Sequence, residues 1–239
     1  TGGVQVEDGR IVALGSGVTG GVDVGGAWLC PGFTNAGCTV GMVEVPMEGD
    51  TNDSSEKSGA VTADARAVDG YNALSDVVPV TRVNGITSVL IHPAQDHLIS
   101  GQAALLRTVG LSGQEAVIAA PAGLCINLGR AGISGDGPKS RMGVAMRLRE
   151  LLDELPAPKT DEEESGRKRR KNKDGDGKDD ESDLSPADKA LRQMRRGELM
   201  ALITANRVDD ILLALDLIQT YELNAALIGC TEGHLVADA

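Results

Sequence analysis

The chain of 239 residues predicts an α/β protein whose sheet is largely parallel and covered by helices. Three observations carry this expectation. Aromatic residues make up only 2% of the chain, so the core must be filled by Val, Leu, Ile and Ala, as in parallel sheets shielded by helices. Ile86 to Ile91 is a nearly continuous β-branched and apolar run closed by His92-Pro93, which fits a strand buried on both faces. Near the C-terminus, Leu199–Ile203 and Ala225–Ile228 read as strands around a helix beginning near Val208. Repeated β-α-β units of this kind imply right-handed crossovers.

Taken in order, the first elements are β. Val4, Val6, Ile11 and Ala13 alternate with polar residues around Asp8-Gly9, a hairpin signal. Trp28-Leu29-Cys30 reads as a short strand stopped by Pro31-Gly32, and Asp50 to Gly59 as an exposed loop. Val77 to Val83 is compatible with a helix ended by Asn84-Gly85. Further strands are expected at Ala103–Leu106, Ala116–Ala119 and Leu124–Asn127. Arg141 to Leu155 reads as a helix with Met142, Met146, Arg149 and Leu152 along one side, ended by Pro156. Asn206 is the expected cap of the last long helix, and Val208, Ile211, Leu212, Leu215 and Ile218 follow its apolar spacing.

Residues 159 to 184 break this pattern with blocks of acid, base and acid again. Lys159–Asp183 offers no apolar face to bury, so a disordered charged insertion is expected. Order resumes at Ser185-Pro186-Ala187-Asp188, a helix cap with proline in the first turn. Arg167 to Lys171 is basic enough for a nucleic-acid patch, but flanking acids favour a solvated linker.

Several function classes are disfavoured. No run approaches the length of a membrane span. A net charge of −12 opposes general affinity for phosphate backbones, and scarce aromatics oppose base stacking, so no nucleic-acid partner is expected. Cys30, Cys38, Cys125 and Cys230 are widely spread, which excludes a zinc ribbon and disfavours a disulfide scaffold. The glycine clusters lack the strand–G-x-G-x-x-G–helix context of a dinucleotide site, and Glu44 and Glu48 read as surface charge. The chain begins Thr1-Gly2-Gly3 without an initiator methionine, so the natural N-terminus is expected upstream. A bacterial cytoplasmic or exported location stays open.

One resemblance joins these pieces. Glu7-Asp8-Gly9-Arg10-Ile11-Val12-Ala13-Leu14-Gly15, then Val22-Asp23, then Cys30-Pro31-Gly32-Phe33 resembles the opening of the amidohydrolase superfamily, more narrowly its imidazolonepropionase-related branch. Gly85-Ile86-Thr87-Ser88-Val89, Ser100-Gly101-Gln102 and Ser140-Arg141-Met142-Gly143-Val144 are similar to later stretches of that branch. So are Arg207-Val208-Asp209-Asp210-Ile211 and Thr231-Glu232-Gly233. The resemblance implies a partial metal-dependent-hydrolase (β/α)8 barrel over residues 33–239, with an N-terminal β-sandwich segment over residues 1–32. It also implies chemistry at the C-terminal ends of the strands, where a divalent metal such as zinc activates water against non-peptide or cyclic C–N bonds.

The same resemblance places the family's metal-binding histidines on Gly37, Thr39, Thr204, Asn206 and Gly229, so each of these positions has lost its imidazole. Glycine has no ligand atom, and neutral Thr and Asn oxygens suit zinc poorly. No cofactor is therefore expected, and no residue is assigned a catalytic role. A rearranged pocket would draw on Cys38, His92, His97, Gln102, Cys230, Thr231 and Glu232. The favoured reading of the two cysteines is nevertheless as small buried hydrophobes, and of the two histidines as loop residues bonded to backbone or water. Three functions follow as alternatives. The chain is a catalytically degenerate amidohydrolase-like protein acting in binding, structure or regulation. Or it is a hydrolase with an altered metal site or one completed by another domain or subunit. Or it is a scaffold that works through its charged insertion. Expected partners are a second copy of the chain or an active amidohydrolase copy.

Overall fold

A computed structural model describes residues 2–156 and 184–239. The charged insertion falls almost wholly outside the described residues. Contacts divide the chain into two units, residues 1–32 and 33–239.

In the first unit, β1 (Gly3–Glu7) and β2 (Arg10–Gly15) form an antiparallel hairpin. Asp8 and Gly9 both have positive φ, 49° and 73°. Two successive left-handed residues give the turn a twist that matches the strands, and glycine takes this conformation without a Cβ clash. The strand expected at Trp28–Cys30 does not form. Trp28 is fully exposed, and Pro31 lacks the N–H that a ladder needs. A single two-stranded sheet is thus what residues 1–32 build.

The second unit is a mixed α/β body around a six-stranded sheet, barrel-like in its curvature. Its strands, in spatial and sequence order, are β3 (Phe33–Cys38), β4 (Ile86–Ile91), β5 (Ile99–Arg107), β6 (Val117–Asn127), β7 (Ala201–Ala205) and β8 (Ala225–Gly229). The pairs β3–β4, β6–β7 and β7–β8 are parallel, whereas β4–β5 and β5–β6 are antiparallel. Five strands therefore share one direction and β5 opposes them.

This corrects the expectation of uninterrupted β-α-β repetition. Ile86–Ile91 does run parallel to the last two strands, but β5 and β6 lie between them. Ala116–Ala119 and Leu124–Asn127 are not separate strands. Val117–Ala119 and Leu124–Asn127 are the two ends of β6, Ala116 instead closes the short helix before it, and Pro121 sits where the pairing with β5 jumps from Ala103↔Gly123 to Leu105↔Ala119. Proline cannot donate to the ladder, so it reads as a break in sequence and is absorbed as a bulge in space. The strand expected at Leu199–Ile203 forms two residues later, at Ala201–Ala205.

Helices α1 (Val77–Val83), α2 (Gly113–Ala116), α3 (Arg141–Glu154), α4 (Pro186–Arg195) and α5 (Val208–Tyr221) cover the sheet. The Ser185 hydroxyl accepts the Asp188 N–H at 3.1 Å, so the expected cap of α4 is formed. The expected stripe of α3 is wrong. Val144, Leu148, Leu151 and Leu152 are buried, while Met142 is 82% exposed. Two stripes of similar period share Leu152, and docking selects the aliphatic one. Helix α5 likewise buries Ile211, Ala214, Leu217 and Tyr221, with Leu212 exposed. Asp210 is drawn inward on this face because Arg141 meets it at 3.1 Å.

The largest core packs α3, α4 and α5 against β6 and β7 through Leu124, Ile126, Ile203, Leu148, Met194 and Leu217. A second core under α1 joins Val78, Val89, Ile91, Ala104 and Leu106. On the opposite sheet face, Ala103, Cys125 and Leu202 form a smaller layer with Leu90, Ala226 and Ile228. No helix among the described residues is long and apolar enough to cross a membrane.

Candidate functional site

Five parallel strands end on the same edge of the sheet, at Cys38, Ile91, Asn127, Ala205 and Gly229. The oppositely directed β5 begins there, at Ile99. The edge carries or adjoins the site residues expected from the sequence apart from Gln102, most of them in three local groups.

The first group lies where β3 and β4 end. A Cβ added at Gly37 would sit 3.5 Å from Nε2 of His92. The other ring nitrogen of His92 donates to the Pro93 carbonyl at 2.8 Å, which leaves Nε2 facing the glycine. Cys38 is half-buried, and burial pushes its thiol up, a shift partly offset by the Val40 N–H. The thiolate that a metal or nucleophilic role needs is therefore disfavoured at neutral pH.

The second group lies where β7 and β8 end. Thr204 is buried and stands beside Asn127 in the β6–β7 register. Asn206 does not cap α5, contrary to expectation. Arg207 takes the cap position without a side-chain bond, and the Glu232 carboxylate accepts the Val208 N–H at 2.9 Å. A carboxylate from the following loop also complements the positive end of the helix dipole. The Asn206 carboxamide oxygen instead accepts the Thr231 hydroxyl at 2.9 Å. It also lies where a side chain at position 229 would go, because a Cβ on Gly229 would fall 2.4 Å from it. Cys230 continues this turn, its N–H donating to the Ala205 carbonyl at 2.8 Å. Thr39 follows β3 and Gln102 lies within β5, where its side-chain amide donates to the Ala63 carbonyl at 2.9 Å.

The third group centres on His97. Its Nδ1 meets Asp96 Oδ1 at 2.6 Å, and the second Asp96 oxygen accepts the Ser55 hydroxyl at 2.6 Å. The His97 carbonyl accepts from the fully buried Asn127 at 2.6 Å, and Asn127 also donates to Ser100 Oγ at 2.7 Å. This network ties the end of β6 to the β4–β5 loop and the start of β5. Beside it opens a cavity of about 370 Å³ lined by Lys57, Gly59, Asp96, His97 and residues 133–136. Asp96, Asn127, Ser55 and Ser134 were not among the residues expected from sequence. The one local signal was the Asp96-His97 neighbourhood, since the others meet only through folding.

The implied divalent metal can be tested against these groups. At the five positions assigned to its ligands, two are glycines, Asn206 Oδ1 is engaged by Thr231, and the hydroxyls of Thr39 and Thr204 are poor zinc ligands. Among the described residues no group of three or more His, Cys, Asp or Glu is placed to hold a metal ion. The residues present do not fit the metal.

No family model matches the sequence. No curated protein matches it. Among solved structures, the chain is similar to the crystal structure of an amidohydrolase from Thermotoga maritima MSB8, with a TM-score of 0.74 and 21% sequence identity. The match covers 98% of this chain and 61% of that one, so the chain spans about three-fifths of the relative's length. At this identity the likeness concerns the fold, and the fold is amidohydrolase-like.

Proposed function

We propose that this chain is an amidohydrolase-like protein of the imidazolonepropionase-related branch whose strand-end site has lost metal-dependent hydrolysis and serves binding, structure or regulation. The observation that carries this reading is the Asn206 carboxamide, held by Thr231 in the space beside Gly229. A ligand-bearing side chain at position 229 would meet that amide. Glycine at position 37 likewise faces the one imidazole of the neighbouring strand end rather than adding a second.

One observation favours a second reading, a hydrolase with an altered site or one completed by another domain or subunit. Nε2 of His92 faces the strand-end space with Cys38 next to Gly37. The partners suited to either reading are a second copy of the chain or an active amidohydrolase copy.

Metal analysis of the purified full-length protein tests the choice. The degenerate reading expects well under one equivalent of zinc, iron or manganese and no hydrolysis of cyclic amides or dipeptides. Restoring His together at Gly37, Thr39, Thr204 and Gly229 recovers metal binding without turnover if the supporting contacts have also drifted. Stoichiometric metal in the unmodified protein that is lost on His92→Ala or Cys38→Ala overturns the first reading in favour of the second.

A further inference from the structure

We infer that the cavity beside His97 is a binding site for a small zwitterion of the α-amino acid class, formed independently of any metal centre. It is built by the loops that follow β3, β4 and β6, and its wall carries Lys57, Asp96, His97, Ile133, Ser134 and Asp136. Its volume of about 370 Å³ lies at the small end of ligand pockets.

The hydrogen-bonding state of the wall selects the ligand. His97 is buried to 8% exposure, with Nδ1 committed to Asp96. Asp96 is an acceptor only, so Nδ1 carries the proton, and in the neutral ring Nε2 presents a lone pair. Each Asp96 oxygen already accepts one hydrogen bond, one from His97 and the other from Ser55. Asp96 acts as the positioning residue that sets the tautomer. The Ser134 hydroxyl is buried without a hydrogen-bond partner among the described residues.

Charge narrows the choice further. Lys57 and Asp136 line the same cavity, yet neither forms an ion pair with the other or with another described residue. A simple anion would satisfy Lys57 and be repelled by Asp96 and Asp136, while a simple cation would satisfy the carboxylates and be repelled by Lys57. A zwitterion satisfies both. Its carboxylate accepts from Lys57 Nζ, and its ammonium donates to the Asp136 carboxylate and to His97 Nε2. The aliphatic side of Ile133 favours an apolar side chain on the ligand.

Calorimetric titration of the full chain with L-alanine and L-valine, against propionate and propylamine, tests this assignment. The amino acids should bind, and each single-charge analogue should bind about tenfold more weakly or worse, the loss expected for one charged hydrogen bond. Lys57→Gln and Asp136→Asn should each weaken amino-acid binding by about tenfold while leaving the thermal midpoint unchanged, because both side chains are exposed. With three histidines in the chain, ring resonances can be assigned by substitution, and the His97 signal should shift on binding. Binding of propionate or propylamine as tight as that of the amino acids overturns the assignment. So does the absence of binding by any member of an α-amino acid panel, or a saturating response that leaves His97 unmoved. None of these outcomes bears on the metal analysis above, so the two readings fail separately.

Discussion

Replacing Gly229 by alanine perturbs the candidate site where β8 ends. The residue has φ of 88°, a left-handed conformation that L side chains rarely adopt, and the substitution costs about 1–2 kcal/mol in backbone strain. The new Cβ falls 2.4 Å from Asn206 Oδ1, which lies at the end of a flexible and exposed side chain. The carboxamide can therefore swing away, but it forfeits the 2.9 Å bond from Thr231, worth about 0.5–1 kcal/mol at an exposed position. The expected total is roughly 2 kcal/mol. Asn206→Ala alone should cost about 0.5–1 kcal/mol, the bond and little else. In the double variant that bond is lost only once, so its cost should fall short of the sum of the single costs by about 0.5–1 kcal/mol. Equilibrium urea unfolding of the four proteins measures this, with unchanged denaturant slopes as the check on two-state behaviour. Strictly additive costs would refute the claim that Asn206 fills the space beside position 229. A Gly229→Ala protein as stable as the parent would refute the strain as well.

Two further outcomes follow from buried groups. Burial pushes the Cys125 thiol from its ordinary 9.0 up to about 12, so between those values the unfolded chain loses a proton that the folded chain keeps. This contribution to stability is complete below pH 9 and declines as pH rises through the window. The stability difference between the parent and Cys125→Ala should accordingly shrink from pH 8 to pH 10.5, whereas a constant difference would contradict it. Asn127 is fully buried and donates to the His97 carbonyl and Ser100 Oγ. Asn127→Ala should cost about 2–4 kcal/mol by thermal or urea unfolding and broaden the His97 ring resonance. A fully stable variant with an unchanged His97 signal would show that the network does not hold the loop.

Features encoded within a few residues were legible in the sequence. Asp8-Gly9 set the first hairpin, Asn84-Gly85 ended α1, and Ser185-Pro186 opened α4, because each acts through backbone geometry or a bond to a near neighbour. The apolar run at Ile86–Ile91 identified a buried strand for the same local reason. Tertiary structure alone decided where those elements went. Pro121 was absorbed where the β5–β6 register shifts, and β5 entered the sheet antiparallel to both its neighbours, which broke the expected parallel repetition. Docking chose one of two stripes on α3, and the Arg141–Asp210 pair turned a charged residue of α5 inward. At the site, residue types gave the candidate positions at the strand ends. They could not give the Asn206–Thr231 bond or the meeting of Ser55, Asp96, His97 and Asn127. Such contacts join residues up to 41 positions apart, and no local propensity records which distant groups the folded chain brings within hydrogen-bond range.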